Sequence, residues 1–278
     1  VEAEGAAAAL AAFRAALARP PPPARVEHIA SRPAAPRGAA GFRIAASRAG
    51  GAGPALTPDL APCPACLAEL ADPAARRYRY AFTSCARCGP RHSIALGPVW
   101  DRAQTTMARF APCPACTREY ADPHDRRFHA QTLACPACGP RLALRDGAGR
   151  TLALGDAALR AAAAALRTGA VVAFQGVGGF QLLADARDDA AVMRLRAGKR
   201  RPEKPFAVLF PDLAAVRRHC VVPPAAAAAL ASPAAPIVLL ARRAGAPALA
   251  PGVAPGCPDL GALLPASPAH HLLAHDCG

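Results

Sequence analysis

Aromatic residues and methionine are scarce in this sequence. Trp, Tyr and Phe together make up 5% of the 278 residues, and there are only two Met. Because large side chains contribute most of the apolar area that a core buries, this chain must build its cores mainly from Leu, Val and Ala. One large core is therefore excluded, and about two smaller domains are expected for this length.

Long hydrophobic runs are also missing. No uninterrupted apolar stretch reaches the ~18 residues that a membrane span needs. The Ala-rich run 6–17 is interrupted by Arg14 and does not resemble a signal peptide. The sequence therefore predicts a cytoplasmic protein with no membrane segment.

Acidic residues are outnumbered by basic ones. Asp and Glu total 19 against 33 Lys and Arg, which is a formal net charge of +14. If eight thiolates hold two Zn²⁺, each site adds about −2 and the balance falls to about +10. The surplus favours an anionic ligand such as a nucleotide or phosphate, and it also favours weak non-specific binding of nucleic acid.

Cysteine, by contrast, is abundant and regularly spaced. Eight of the 11 Cys lie in CxxC pairs, a spacing typical of metal sites in a reducing compartment. Two CxxC turns supply the four sulfurs of one tetrahedral ion and leave no open coordination position. The sequence thus predicts two structural Zn²⁺ sites, formed by Cys63, Cys66, Cys85 and Cys88 and by Cys113, Cys116, Cys135 and Cys138. Pairing within each repeat is the simplest arrangement, but exchange of pairs between repeats stays open.

The two sites belong to an internal repeat with a 50-residue period. CPACLAELADPAARRYRYAFTSCARCGPR (63–91) aligns without gaps with CPACTREYADPHDRRFHAQTLACPACGPR (113–141), and 15 of the 29 positions are identical. Few large apolar residues lie in either copy. Metal binding is therefore expected to supply much of the folding free energy of this region.

Two further groups of residues invite interpretation. The basic set in the repeats is interpreted as a solvated face in preference to an anion site, because charge runs are usually exposed; it comprises Arg76, Arg77, Arg126, Arg127 and His129. Cys220, Cys257 and Cys277 lack metal spacing and are interpreted as buried thiols.

Outside the repeat, the patterning changes along the chain. Residues 1–48 contain a predicted helix (6–18) and two predicted strands (25–30 and 41–46), and residues 49–60 form a Gly/Pro-rich linker. From about residue 150, helical and strand patterns alternate, which predicts an α/β domain. The predicted helices are 156–168, with Gly169 as its cap, 188–197 and 213–219, and the predicted strands are 170–174, 206–210 and 236–240.

Two segments of this last zone are candidates for a phosphate site. In Gly176-Val177-Gly178-Gly179, which follows a strand, Gly178 and Gly179 would let the backbone approach a ligand closely. A following segment places fixed positive charge between a helix and a strand, as polyphosphate binding requires; its cations are Arg196, Lys199, Arg200, Arg201 and Lys204. A turn that merely needs positive φ and a solvent-exposed or nuclear-localisation-like basic tract remain the alternatives.

These stretches resemble the HypF family of hydrogenase-maturation carbamoyltransferases. The double repeat with its intervening DRAQTTMARF is similar to the zinc-finger region of that family. VVAFQGVGGFQLLADA, LRAGKRRPEKPFAVLF and LGALLPASPAHHLL are similar to its YrdC-like domain, and PPPARVEHI and GFRIAAS to the second half of its acylphosphatase domain. The resemblance implies an α/β multidomain protein with a partial ferredoxin-like α+β acylphosphatase remnant (1–48), tandem four-cysteine zinc-ribbon-like fingers (61–145) and a partial YrdC-like α/β domain (150–278).

The resemblance also implies an activity. HypF-like enzymes hydrolyse carbamoyl phosphate, join the carbamate to ATP, with Mg²⁺, as carbamoyl adenylate, and carbamoylate the C-terminal Cys of the partner HypE toward the cyanide ligands of nickel–iron hydrogenase. Lys199 and Arg201 match the K-x-R motif of YrdC-like proteins, which contacts the nucleotide and acyl group, and Lys204 would assist. Gly178 and Gly179 would also line the nucleotide site. By analogy with YrdC-like domains, double-stranded RNA binding is a further expectation.

The match to the family departs from its pattern in two ways. Local positive charge is reduced, because Gln175, Gln181, Gly198 and Ala266 stand where the family usually has Lys, His, a basic residue and Tyr. The acylphosphatase catalytic loop, a Ser-Gly-Asn stretch after His270-His271 and the transferase domain have no counterpart. The chain is therefore expected to be a fragment that does not complete the reaction alone.

Two other functions compete with this interpretation. A YrdC-type tRNA threonylcarbamoyladenosine factor is also an adenylating enzyme, but the double finger ahead of the domain argues against it. A zinc-ribbon nucleic-acid-binding protein is supported by the net charge. The fingers nevertheless lack an aromatic-rich basic strand for base stacking, which argues against that function too.

Overall fold

A computed structural model describes residues 1–20, 24, 26–38, 40–43 and 56–278. The chain forms two compact units, Val1–Ala52 and Gly53–Gly278, which are described separately. In the first unit, α1 (Ala7–Leu17) confirms the predicted helix, since a run of Ala strongly favours helix. None of its residues is buried. Glu4 accepts backbone hydrogen bonds from Arg37 (2.6 Å) and Gly38 (2.9 Å).

The two strands predicted in this unit do not form where the structure describes the chain. Residues 26–30 and 41–43 carry no strand, while residues 25 and 44–46 of the same predictions lie outside the described residues. The apolar side chains of these stretches, Val26 and Phe42, are 44% and 83% exposed. A strand is stable only when its backbone groups find partners and one face is buried, and neither condition is met here.

In the second unit, each repeat begins with a short helix at its first CxxC pair. These are α2 (Pro64–Ala71) and α3 (Pro114–Ala121), and both have Pro in the first turn, where its missing N–H has no intrahelical partner to lose. The segment between the repeats is held by three short 3₁₀ helices, His92–Ile94, Arg102–Gln104 and Thr106–Arg109.

The α/β zone opens with a hairpin, β1 (Ala143–Arg145) and β2 (Thr151–Leu154), that leads into α4 (Gly155–Arg167). Gly169 has φ +85° and donates to the carbonyl of Leu166, which confirms it as the cap of α4. β3 (Val172–Gly176) begins two residues later than the predicted strand. It pairs antiparallel with β4 (Gly179–Leu183).

The remaining elements form a small mixed sheet with helices around it. In chain order they are α5 (Asp189–Lys199), β5 (Ala207–Leu209), α6 (Leu213–His219), α7 (Pro224–Leu230), β6 (Val238–Ala241), β7 (Asp259–Leu263) and α8 (Pro268–Cys277). The strand order is β5-β7-β6, with β7 parallel to β5 and antiparallel to β6. The predicted α/β class is confirmed, although the chain pattern did not reveal α7, β7 or α8.

Two apolar cores organise this unit. One lies around the three-stranded sheet and includes Val216, Leu230 and Leu260, all at most 1% exposed. The other joins the first repeat to the α/β zone, because Leu70 of α2 packs in the same cluster as Leu159 of α4 and residues of α8. The finger region and the domain after it therefore share a core. Within the described residues, no helix has the length and apolar character needed to cross a membrane.

Candidate metal centres and nucleotide site

Each repeat brings its own four cysteine sulfurs together. In the first, the Sγ–Sγ distances are 3.7 Å for Cys63–Cys85, 3.7 Å for Cys85–Cys88 and 3.5 Å for Cys66–Cys88. The second repeat gives corresponding distances of 3.7, 3.6 and 3.6 Å among Cys113, Cys116, Cys135 and Cys138. The sulfurs are not disulfide-bonded, and all four in each set lie within 4.8 Å of one another.

These distances fit a tetrahedral thiolate-bound metal. With a Zn–S bond of about 2.3 Å, the sulfurs of a regular tetrahedron are about 3.8 Å apart. Local structure explains the geometry, because each first pair starts a helix, where Cys63 and Cys113 are N-caps and Cys66 and Cys116 lie in the first turn. Pairing within each repeat, which sequence alone left open, is the arrangement that the structure has.

The interpretation of the basic set as a solvated face is wrong for Arg77 and Arg127, which are buried, whereas Arg76 is exposed. Arg77 is 1% exposed and Arg127 is 4% exposed, while His129 packs between the rings of Tyr120 and Phe128. Burial of Arg77 and Arg127 is possible because anions lie opposite them. These anions are the carboxylates of Glu69 on α2 and Glu119 on α3, which lie about 40 to 60 residues along the chain from their partners in the other repeat.

Most side-chain contacts of these arginines cross from one repeat to the other, and the exception is an ion pair between Arg77 and Glu69 of the same repeat (3.2 Å). Arg77 donates to both oxygens of Glu119 (3.0 and 2.6 Å), and Arg127 is paired with Glu69. Arg77 Nε also donates to the carbonyl of Ala134 (2.7 Å), and Arg127 Nε to that of Ser84 (3.0 Å), which occupy the same position in the two repeats. The two fingers thus exchange equivalent contacts, as subunits of a symmetric dimer do.

The first finger is also clamped to the α/β zone by Arg79. Its guanidinium donates to Asp156 of α4 (2.7 Å) and to both carboxylate oxygens of Asp276 of α8 (3.1 and 2.5 Å). Burial acts to raise the pKa of Asp276, but its hydrogen bonds, first that from Arg79, lower the pKa below its usual value. Arg79 has φ +52°, and the corresponding residue of the second repeat is His129.

The basic segment after α5 is a loop organised by one buried arginine. Arg196 is 4% exposed, and its guanidinium donates to carbonyls on both sides of it, including Gly252 (2.6 Å) and Arg201 (2.7 Å). Arg201 donates to the carbonyls of Lys204 (3.1 Å) and Pro205 (2.6 Å) and lies over the ring of Phe206. Much of the donor capacity of Arg201 therefore serves the loop itself.

Lys199 and Lys204 differ from Arg201 in their surroundings. Both are exposed, Lys199 as the last residue of α5 and Lys204 just before β5. Arg200, which directly follows Lys199, adopts a left-handed conformation that ends the helix. The loop thus presents two lysines to solvent on a scaffold held by Arg196, an arrangement that can receive a phosphate group.

The glycine turn is the tip of the β3–β4 hairpin, with Gly176 opposite Gly179. Gly178 has φ +89°, a backbone conformation that glycine adopts far more readily than other residues. A Cβ on Gly178 would meet Ser93 Oγ of the finger region at 3.4 Å. Ser93 in turn is held by Asp59, which accepts hydrogen bonds from its hydroxyl and its backbone N–H. The side chain closest to Gly178 in this turn is therefore Ser93 of the finger region.

Beside this hairpin lies a buried histidine that sequence reasoning did not single out. His270 is 5% exposed, its Nε2 lies 3.0 Å from Gln181 Oε1, and its ring packs on Phe174. Its Nδ1 has no partner among the described residues. Burial, with a smaller contribution from the charge of His271, lowers the pKa of His270 to about 4. Gln181, one of the departures from the family pattern, is thus the hydrogen-bond partner of a neutral imidazole.

We expect His270 to make stability depend on pH between about 4 and 6.5. In this window the unfolded chain, with a His pKa of ~6.5, binds a proton that the folded chain does not, so the free energy of unfolding falls as the pH falls. Lowering the pH from 7.5 to 5 should cost about 2 kcal/mol from this group alone.

The measurement is urea unfolding of the zinc-saturated chain at both pH values. His270→Gln should lose about 2 kcal/mol less than the unsubstituted chain over this step, and the comparison cancels losses that both proteins share. Equal losses in the two proteins would contradict the prediction.

The other predicted features fall outside these contacts. Cys220 is buried, as predicted, and Cys257 and Cys277 are half-buried. Burial raises the pKa of Cys220 and Cys277.

Gln175, Gly198 and Ala266, the other departures from the family pattern, are exposed. Two cavities, of about 250 and 360 Å³, are lined neither by the basic loop nor by the glycine turn. The described contacts do not bring Lys199 and Gly178 together.

Comparison with known proteins identifies the families that the finger region and the following α/β domain resemble. The HypF finger model matches residues 63–95 and 113–145, and the Sua5/YciO/YrdC model, described as telomere recombination, matches residues 164–278. The chain is therefore a double four-cysteine finger followed by a Sua5/YrdC-like domain.

The chain is similar to HypF carbamoyltransferases along nearly its whole length. It is 48% identical over 280 residues to carbamoyltransferase HypF2 of Cupriavidus necator, a match that covers 99% of this chain and 35% of that protein. HypF of T. kodakarensis superimposes with a TM-score of 0.85 at 38% identity, over 98% of this chain and 34% of that one. Full-length HypF in a phosphate- and nucleotide-bound form matches 80% of this chain and 29% of its own length, with a TM-score of 0.74 and 43% identity. The chain spans about a third of the length of these relatives.

Several residues that organise the site escaped sequence reasoning. They are the clamp residues Arg79, Asp156 and Asp276 and the buried His270. Of these residues, only Arg79 could have been noticed in the sequence. The second repeat has His129 at the same position, and a difference between two similar repeats indicates that the two side chains have different neighbours. The others depend on contacts between distant segments. Arg196 was predicted as a phosphate-site cation, whereas the structure has it as the buried organiser of the loop.

Proposed function

We propose that this chain is the carbamoyl-adenylate-forming part of a HypF-type carbamoyltransferase. In this reaction a carbamate oxygen attacks the α-phosphorus of ATP, pyrophosphate leaves, and carbamoyl adenylate forms. The observation that carries the proposal is the joining of a HypF double finger to a Sua5/YrdC-like domain through a shared core and the Arg79 clamp. That a HypF relative is described in a phosphate- and nucleotide-bound form supports it.

Within this proposal the basic loop binds the phosphates of ATP, with Mg²⁺ as the counter-ion. Lys199 and Lys204 are the exposed cations that approach the nucleotide, and they offset the negative charge that grows on the leaving pyrophosphate. Arg201 positions the loop and offers its remaining donors. Gly178 and Gly179 lie at the hairpin tip beside the finger and are the less well supported part of the site, because Ser93 already occupies one side of it.

The two four-cysteine centres hold structural Zn²⁺ in this proposal. All four positions of each tetrahedron are filled by sulfur, which leaves none for water or substrate. The centres therefore shape the finger pair that supports the adenylating domain. In the cytoplasm, the carbamoyl group would pass to the C-terminal Cys of a HypE-like acceptor for cyanide-ligand synthesis in nickel–iron hydrogenase, through segments that relatives have outside the matched region.

The competing functions have less support. A tRNA threonylcarbamoylation factor would share the adenylating domain, but the HypF fingers pack into the core of that domain. A nucleic-acid-binding finger pair needs exposed cations, whereas Arg77 and Arg127 are buried and Arg76 and Arg126 face carboxylates. The expected double-stranded RNA binding has no support from the comparisons.

Lys199→Ala tests the proposal directly. In this chain joined to the remaining segments of a HypF relative, we expect carbamoyl-phosphate-dependent ATP–pyrophosphate exchange to fall by about 100-fold, because an aligned cation that meets developing charge is worth about that factor. Arg150→Ala, which removes one exposed charge from the β1–β2 turn, should leave the rate unchanged. Undiminished exchange in Lys199→Ala would exclude this site. Exchange that depends on threonine and bicarbonate instead would favour the tRNA factor.

A further inference from the structure

We propose that the two metal centres are one cooperative unit, because each centre receives hydrogen bonds from arginine side chains of the other finger. The proposal concerns residues outside the cysteine sets, Arg76 and Arg126 above all, and it goes beyond the carbamoyltransferase function. Its physical basis is the charge of a buried thiolate cluster and the origin of the groups that neutralise it.

A Zn²⁺ ion with four thiolates carries a net charge of about −2. The second cysteine of each set is fully buried, with Cys66 1% exposed and Cys116 0% exposed. Burying such charge is costly unless hydrogen-bond donors or cations lie against it. Donors to the ligand atoms also hold them in position and raise metal affinity.

The arginine donors come from the opposite finger. Arg126 Nη1, in the second repeat, donates to Cys66 Sγ of the first at 2.8 Å. In return, Arg76 Nη1 and Arg77 Nη2, in the first repeat, donate to Cys116 Sγ of the second at 3.4 and 3.5 Å. Both centres thus depend on a neighbour whose own folding requires the other metal.

The carboxylates complete the connection between the fingers. Glu69 lies three residues after Cys66 on α2, and Glu119 three residues after Cys116 on α3, so each carboxylate shares a helix face with a metal ligand. Glu119 accepts from Arg76 (2.5 Å) and Arg77, and Glu69 is paired with Arg126 and Arg127. A metal that orders one helix therefore also orders the carboxylate that aims the arginines of the other finger.

Zinc loading of the metal-free 278-residue chain tests the proposal. After one equivalent of Zn²⁺, two identical independent sites would give about half of the molecules with a single ion. Cooperative loading should give mainly molecules with none or two, as counted by native mass spectrometry. A singly loaded fraction of half or more would overturn the proposal.

Single substitutions provide a second test that keeps both cysteine sets. With Arg126→Gln, zinc should leave the first centre to a competing chelator about 10-fold faster, because loss of such an outer contact typically costs about 10- to 100-fold in metal affinity. Arg76→Gln should act in the same way on the second centre. When Co²⁺ takes the place of Zn²⁺, the thiolate-to-cobalt charge-transfer bands should shift in these variants, because one ligand sulfur has lost its arginine donor.

The matched control is Arg118→Gln, which removes an exposed charge from α3. It should leave metal release and the Co²⁺ spectrum unchanged. Equal release rates for Arg126→Gln and Arg118→Gln would refute the role of the crossed arginines. A Cys113→Ser, Cys116→Ser chain that still holds one zinc at the first centre as tightly as the unsubstituted chain would refute the coupling.

Discussion

Removing the metal will unfold residues 61–141 and will also expose the buried side of α4 in the domain that follows. The apolar clusters around the two centres are small. Around the first centre the cluster consists of its cysteines, and around the second it adds chiefly Leu133, Ala130 and Tyr120. Structural zinc sites contribute about 10–16 kcal/mol of apparent binding free energy, which small clusters of this kind cannot replace.

The effect should spread beyond the fingers because of the shared core. Leu70 and Ala81 of the first repeat pack in the cluster that buries Leu159 and Leu166 of α4. When the finger unfolds, these side chains lose an apolar neighbour, and burial of a Leu side chain is worth about 1.5–3 kcal/mol. Loss of several such contacts should loosen α4 and the packing of α8 against it.

Hydrogen exchange read by mass spectrometry, before and after treatment with a zinc chelator, is the measurement. Protection should disappear throughout 61–141 and fall partly in α4, while the cluster around the three-stranded sheet stays protected. Readdition of Zn²⁺ is the control for irreversible damage. A metal-free chain that keeps its protection in 61–141 would contradict the prediction.

Replacing Arg79 with Ala is expected to destabilise the second unit by about 3–5 kcal/mol. Arg79 is 9% exposed, and its removal leaves the carboxylate of Asp276, in a side chain 10% exposed, without its cation. Breaking a buried ion pair by removing one partner typically costs this much, because an uncompensated charge remains. The left-handed backbone at this position is equally unfavourable for Ala and Arg, so it does not contribute to the difference.

Urea unfolding of the zinc-saturated protein gives the magnitude. Arg160→Ala is a matched control, because it removes an exposed arginine that faces the same Asp156 on α4. Exposed i,i+4 pairs contribute about 0.3–0.5 kcal/mol, so this variant should remain close to the unsubstituted chain. Adding Asp276→Asn to Arg79→Ala should restore part of the stability. Equal stability of the Arg79 and Arg160 variants would rule out the clamp.

The features that could be predicted from sequence are those with local causes. CxxC spacing, the Gly169 cap and the periodicity of α4 and α6 all depend on neighbours within a few residues. The strand boundaries were less accurate. Periodicity placed the strand at 170–174, whereas β3 spans Val172–Gly176, because its limits depend on pairing with β4. The short Ala-rich helix α7 gave no clear apolar stripe.

The basic residues show why the candidate site could be predicted only in part. In the sequence, Arg76-Arg77 and Lys199-Arg200-Arg201 are equivalent runs of positive charge. In the structure, Arg77 is buried against a carboxylate and a thiolate of another repeat, whereas Lys199 is exposed at a helix end. Nothing local distinguishes the two runs, since their surroundings come from segments tens of residues away.

The sequence by itself determined that this chain has two four-cysteine centres, because the ligands of each lie in a repeated local motif whose spacing suits one tetrahedral ion. It also determined the resemblance to HypF proteins. Only the tertiary structure decided that each repeat pairs its own sulfurs, that arginines cross between the fingers, and that Arg79 joins the first finger to the next domain. These features depend on which distant groups meet, and a buried charge is stable only where folding has brought its partner to it.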